Sequence, residues 1–124
     1  MRIASASVAC LVALVACGTT ATGYFPAADS PGVDKAIEQG WLPTWLPQDA
    51  EAIDERHDLD SNASIVQFQS TKLELPPGCS TVTDPPEATI SANWWDSNVD
   101  GAAVFQCGDQ FVAIKDSLVR VWVP

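Results

Sequence analysis

The sequence predicts a small α+β domain, in which one short helix precedes a small antiparallel β-sheet with a C-terminal meander and one disulfide. Three observations support this fold class. Apolar residues recur at helical spacing within residues 48–57, apolar and polar residues alternate in the C-terminal third, and two cysteines remain beyond residue 17. The length of 124 residues suits one domain rather than two.

The N-terminal residues have the pattern of an export signal. Arg2 gives a positive start, and residues 3–16 are uncharged and mostly apolar. This run is shorter than the roughly 20 apolar residues that span a bilayer. We therefore expect residues 1–16 to be a cleaved signal peptide.

The end of this run resembles the bacterial lipobox, in which a Leu stands three residues before a lipidated cysteine. The matching string is Leu14-Val15-Ala16-Cys17, whereas the rival Cys10 lacks the Leu at that spacing. We expect Cys17 to carry the lipid, with acyl chains such as palmitate, and to anchor the chain to a membrane of the cell envelope. Gly18 resembles the signal for an outer membrane position facing the periplasm, if the host has two membranes.

The elements after Cys17 are predicted in order. Residues 17–32 are rich in small residues and proline and are expected to be a flexible tether, which leaves residues 33–124 as the domain. Residues 34–39 could hold a short helix that Gly40 stops. The Trp-Pro segment, residues 40–47, is expected to be extended, with its tryptophans substantially buried. Residues 48–57 form the strongest helical candidate.

The remaining elements are predicted strands. Period-two patterns indicate strands at residues 65–68, 88–92, 103–107, 111–115 and 118–123. Gly108-Asp109 and Asp116-Ser117 are predicted to be the turns of the C-terminal meander.

Cysteine usage predicts one disulfide. With Cys10 removed and Cys17 acylated, Cys79 and Cys107 are the remaining thiols of an exported chain, and we expect them to pair. A loop of this length contributes about 3–4 kcal/mol of stability in the loop-entropy model. A metal site is not expected, because His57 is the one histidine of the sequence.

The charge of the chain limits its partners. Without Arg2, 5 basic residues face 16 acidic ones, which gives the mature chain a formal charge of −11. Such a chain is repelled by nucleic acid, so a protein partner would be basic at the contact. Asp54 and Glu55 on the predicted helix, with Asp58 directly after it, are the candidate partner surface, although an acidic face also serves solubility alone.

A resemblance covers about thirty residues. The string Gly40-Trp41-Leu42-Pro43-Thr44-Trp45-Leu46-Pro47, then residues 53–62 and Phe68, resemble small bacterial lipoproteins with a YbbD head domain. Their pattern joins a G-W-x-P-x-x-[LI]-P segment to an Ile-containing helix and an N-N-L-D-x-N-like turn. Here His57-Asp58 replaces Asn-Asn. The resemblance implies a small α+β exported domain, and no cofactor or catalytic residue carries over.

Two further patterns have both a functional and an ordinary structural interpretation. His57 lies among carboxylates and could act as a general base, but no G-x-S-x-G-like context frames a nucleophile. The stretches 58–64 and 96–101 resemble the start of a calcium loop, but both lack the glutamate at position twelve. Asp, Asn and Gly also form ordinary turns, so whether either stretch binds calcium stays open.

The sequence therefore predicts a membrane-anchored envelope lipoprotein with a non-enzymatic binding or structural domain and no cofactor. One alternative is an inhibitor of a basic envelope-targeting protein such as a lysozyme. The other is a hydrolase centred on His57.

Overall fold

The computed structural model describes residues 19–124, which form one antiparallel sheet of seven strands. The strands are β1 (Thr20–Ala27), β2 (Glu51–Asp58), β3 (Ser64–Gln69), β4 (Ser80–Thr81), β5 (Ala103–Cys107), β6 (Gln110–Lys115) and β7 (Leu118–Val123). Their spatial order is β1-β2-β3-β7-β6-β5-β4, and all neighbours are antiparallel. The α+β prediction is wrong, because the α-helix of the described range, α1 (Val33–Glu38), has six residues.

The largest difference between the predicted and observed secondary structure lies at residues 48–57, which were predicted to be a helix. Residues Glu51–Asp58 instead form β2, which pairs with β1 on one side and β3 on the other. Pairing along both edges and burial of alternate side chains outweigh a local preference for helix. Ala52 has a φ of 50° beside the register shift between Glu51 and Asp54, so the strand begins with a local irregularity.

The N-terminal edge of the sheet was also not predicted. Residues Thr20–Ala27, which the sequence assigned to a flexible tether, form β1 and pair with β2 over the whole strand. Gly23 and Pro26 gave these residues the composition of a linker. The predicted short helix at residues 34–39 matches α1 to within one residue.

The C-terminal meander is confirmed. β5, β6 and β7 follow one another with two-residue turns at Gly108-Asp109 and Asp116-Ser117. Gly108 and Asp116 have φ values of 66° and 56°, as such tight turns require. The predicted strand at residues 88–92 is wrong, because these residues run irregularly across one face of the sheet.

The two faces of the sheet are covered by different segments. On one face, α1 and the Trp-Pro segment pack over the larger core, and Trp41 and Trp45 are half-buried against it. The Trp45 indole donates a hydrogen bond of 3.0 Å to Gln110. On the other face, residues 82–102 pack over a second cluster that includes Trp122. The apolar β7 therefore lies between two layers.

The predicted disulfide is confirmed. Cys79 directly precedes β4 and Cys107 ends β5, and the two strands pair through Ser80 and Gln106. The bridge joins the proline-rich loop to the edge of the sheet across a separation of 28 residues.

Within residues 19–124, no helix has the length and apolar composition needed to cross a bilayer. Cys17 and the predicted signal peptide, residues 1–16, lie outside the described residues.

Candidate functional site

A buried carboxyl–imidazole pair lies on β2. Alternation along the strand puts Ile53, Glu55 and His57 on the face that α1 covers. Glu55 is 2% exposed and His57 is 7% exposed. The Glu55 carboxylate contacts His57 through a short hydrogen bond between Oε2 and Nδ1. The Trp41 indole stacks on the imidazole with the ring centroids 4.3 Å apart and the planes 10° apart.

The neighbouring strand makes room for this pair. Gly23 on β1 lies directly opposite Glu55, and a Cβ at that position would lie 3.3 Å from Glu55 Oε1. A side chain at residue 23 would therefore press on the carboxylate. Burial raises the pKa of the Glu55 carboxyl, while the hydrogen bond and charge interaction with His57 partly offset this rise.

The second ring nitrogen of His57 is left without a partner. Nε2 is buried and has no hydrogen-bond partner within residues 19–124. Glu55 engages Nδ1, so Nε2 is the ring nitrogen left for a further partner near the C-terminal end of β2. A cleft of about 210 Å³ lies at that end, and its lining includes Gln39, Trp41, His57, Ser61, Asn62 and Ser64.

The turn between β2 and β3 forms the rim of this cleft. The Asp58 carboxylate accepts hydrogen bonds from the Asp60 backbone N–H at 2.9 Å and the Ser61 hydroxyl at 3.1 Å. The Leu59 side chain is 57% exposed. The stretch at residues 58–64 that resembled a calcium loop is thus an Asx-type turn stabilised by its own hydrogen bonds.

The other Asp/Asn stretch also forms hydrogen-bonded turns. Asp96 accepts from the Asn98 backbone N–H at 2.9 Å, and Asn98 accepts from that of Asp100 at 2.8 Å. No group of three or more His, Cys, Asp or Glu side chains in the described part of the chain is placed to hold a metal ion.

The three residues of the predicted partner surface do not share a face. Glu55 is buried against the core, whereas Asp54 and Asp58 lie half-buried on the opposite face. Burial raises the pKa of the Asp54 carboxyl. An exposed acidic helix is absent from residues 51–58 because this segment is a strand between two others.

A second cavity lies on the opposite face of the sheet. Its volume is about 430 Å³, and Trp95 and Trp122 line it together with Asp84, Glu87 and Asp100. Trp94 and Trp95 meet edge to face, with centroids 6.2 Å apart, and Trp95 also packs edge to face on Trp122. The paired tryptophans therefore take part in covering the sheet.

One buried arginine holds residues 96–98, beside this cavity, through hydrogen bonds to their backbone. Arg120 on β7 is 4% exposed, and its Nη1 donates to the carbonyl oxygens of Asp96 at 2.5 Å and Asn98 at 2.8 Å. The Trp122 indole donates to the Pro86 carbonyl at 2.8 Å. Two polar side chains of β7 thereby hold the irregular segment against the sheet.

Sequence reasoning identified His57 but missed Glu55 as its partner. The helical interpretation placed Ile53 and His57 on one face four residues apart, which leaves Glu55 on another face. No apolar–polar alternation marks this strand in the sequence, because Glu55 and His57 are polar residues at the buried positions that follow Ile53.

The described chain is thus a disulfide-linked all-β domain with a buried Glu–His pair beside a polar cleft. Residues 19–69 match the family model of the YbbD head domain, a family of unknown function. The match spans β1, α1, the Trp-Pro segment, β2 and β3, and it confirms the resemblance that the sequence predicted. No curated protein and no solved structure matches the chain.

Proposed function

We propose that this chain is a lipid-anchored protein of the cell envelope whose domain is a non-enzymatic binding module. The observation that carries the anchor is the Leu14–Cys17 string, which is followed at Thr20 by the first strand of the domain. The disulfide between Cys79 and Cys107 supports an oxidising compartment, as the envelope offers outside the cytoplasm.

The position of Thr20 supports a specific orientation on the membrane. Cys17 precedes Thr20 by three residues, which span at most about 10 Å, so a lipid on Cys17 would hold the start of β1 close to the bilayer. The Leu59 backbone N–H donates to the Thr19 carbonyl at 2.6 Å, which ties the β2–β3 turn to this same end. The exposed Leu59 and the His57 cleft would then lie at the membrane-proximal end of the domain.

Intact-mass measurement of matched cysteine variants tests the anchor. Cys17→Ser should accumulate as the unprocessed, unacylated precursor, whereas Cys10→Ser should be processed and acylated like the natural chain. If Cys17→Ser is still cleaved before residue 17 and recovered with lipid, the anchor proposal fails.

The binding role rests on the cleft beside His57. His57 Nε2 is one of four buried side-chain nitrogens in residues 19–124 that have no hydrogen-bond partner, and His57 lines the cleft, so a ligand bound there would satisfy this atom. The formal charge of −11 also favours a protein partner that presents basic residues at the contact. Such an association weakens as the salt concentration rises.

A hydrolase is the second candidate, because Glu55 orients His57 as a carboxylate orients the general base of a Ser–His–Asp triad. In the described range, however, no hydroxyl or thiol is hydrogen-bonded to Nε2. A fluorophosphonate probe separates the two candidates. The binding role predicts no labelling, while labelling of Ser61 or Ser64 that is lost in His57→Gln would establish the hydrolase instead.

A further inference from the structure

The chemical groups that line the His57 cleft limit the class of ligand that it can bind. The lining contributes two primary amides, from Gln39 and Asn62, and two hydroxyls, from Ser61 and Ser64. These groups donate and accept hydrogen bonds without net charge. The single carboxylate of the lining, Asp58, is already engaged by the Asp60 N–H and the Ser61 hydroxyl. The cleft is therefore suited to a neutral, polar ligand.

The volume of the cleft limits the size of the ligand. Its volume of about 210 Å³ lies below the roughly 300–1,000 Å³ of pockets that take drug-sized ligands. One ring with its substituents fits this space, whereas an extended chain of rings would have to continue outside it.

The Glu55–His57 pair favours a ligand that can both donate and accept. With one proton on the pair, Nδ1–H donates to the Glu55 carboxylate and Nε2 presents a lone pair. With a second proton, Nε2 becomes a donor. A hydroxyl satisfies Nε2 in both states, whereas an ammonium group can only donate and a carboxylate can only accept. A carboxylate ligand would also be repelled by the negative charges of the buried Glu55 and the nearby Asp58.

Access to Nε2 requires a small local movement. The atom is buried, but the rim residues Ser61 and Asn62 are exposed. Exposed side chains change rotamer within picoseconds to nanoseconds, so the rim of the cleft can rearrange as a ligand enters.

We propose that this cleft binds a neutral polyhydroxylated ring, a single sugar residue, with one hydroxyl hydrogen-bonded to His57 Nε2. The Gln39 and Asn62 amides and the Ser64 hydroxyl of the lining serve the other hydroxyls, and Trp41 supports the imidazole from its stacked side. Glu55 is a positioning residue, because it touches His57 and not the ligand. The proposal deepens the binding role given above and is independent of the lipid anchor.

The single histidine of the sequence makes the test direct. The full-length protein, purified in detergent micelles with ¹⁵N-labelled histidine, gives one imidazole whose two nitrogens are resolved separately. It is titrated with neutral methyl hexosides, and in parallel with ethanolamine and with glucuronate. At least one neutral hexoside should shift the Nε2 resonance saturably and move Nδ1 much less, while the cationic and anionic compounds should not.

Variants locate the binding in the cleft. By calorimetry with the same hexoside, His57→Gln should bind at least tenfold more weakly. Asn62→Ala, a change at an exposed position, should bind at least threefold more weakly. Ser97→Ala, which alters the lining of the cavity on the opposite face, is the matched control and should bind as the natural chain does.

Three results would overturn the proposal. These are the absence of a saturable Nε2 shift with every neutral hexoside, a shift produced by ethanolamine or glucuronate instead, and binding that Asn62→Ala leaves unchanged. Acylation of Cys17 is measured on the same preparation by mass. Failure of the sugar titration with an intact anchor therefore rejects the ligand class and leaves the anchor proposal standing.

Discussion

Replacing Glu55 and His57 singly and together measures how strongly the two side chains depend on each other. His57→Phe keeps a ring that can stack on Trp41 but leaves the Glu55 carboxyl, 2% exposed, without its partner. Breaking a buried pair in this way costs about 3–5 kcal/mol. Glu55→Leu leaves the buried Nδ1 without an acceptor and should cost about 1–3 kcal/mol.

The double variant should be far more stable than the sum of the single changes implies. Replacing a whole buried pair with apolar side chains of similar volume is often close to neutral. We therefore expect Glu55→Leu/His57→Phe to lose about 0–2 kcal/mol and to show a coupling energy of at least about 2 kcal/mol.

Urea unfolding with the disulfide intact provides the assay, with the midpoint and the slope compared for each variant. Glu51→Gln is the control, since Glu51 is exposed on the same strand and its replacement should change stability by about 0.5 kcal/mol or less. Additive losses in the double variant would show that the pair does not interact in the folded protein, and would refute the reasoning.

Three further predictions concern the rest of the fold. The Cys79→Ala/Cys107→Ala variant should lose about 3–4 kcal/mol of unfolding free energy in urea, and an unchanged midpoint would mean that the bridge does not constrain the chain. Arg120→Met removes two charge-assisted bonds to carbonyls and should cost about 2–4 kcal/mol, with faster hydrogen exchange at residues 96–100. Destabilisation without faster local exchange would contradict that role. Hydrogen bonds, from Ser70 first, hold the pKa of Asp49 below its ordinary 3.8. The stabilisation by Asp49 should therefore be complete above that value and shrink as the pH falls through the lowered pKa, so the melting temperatures of the natural chain and Asp49→Asn should converge in acid. A constant difference down to the lowest pH would count against it.

The C-terminal meander was predictable because its signals are local. β5 and β7 have the predicted bounds, since alternating residues and the turns at Gly108-Asp109 and Asp116-Ser117 fix the pairing between neighbours in sequence. The Cys79–Cys107 bridge followed from counting thiols.

The N-terminal half was less predictable because its pairing is not local. β1 reaches β2 across more than twenty residues, and neither strand alternates clearly between apolar and polar residues. Glu55 and His57 are polar residues at buried positions, so the pattern of β2 resembled an acidic amphipathic helix. The candidate site is hidden from sequence analysis for that same reason, because Glu55 and His57 replace the apolar residues that normally mark a strand.

Glu55 engages Nδ1 of His57 and leaves Nε2 without a partner, and the tautomer of the single imidazole tests this arrangement most directly. In mildly alkaline buffer, the ¹⁵N shifts of the ligand-free protein should show a protonated Nδ1 and an unprotonated Nε2. The Glu55→Leu variant should lose this preference for Nδ1–H. An Nε2–H tautomer in the natural chain would contradict the account, because the lone pair of Nδ1 would then face the carboxylate.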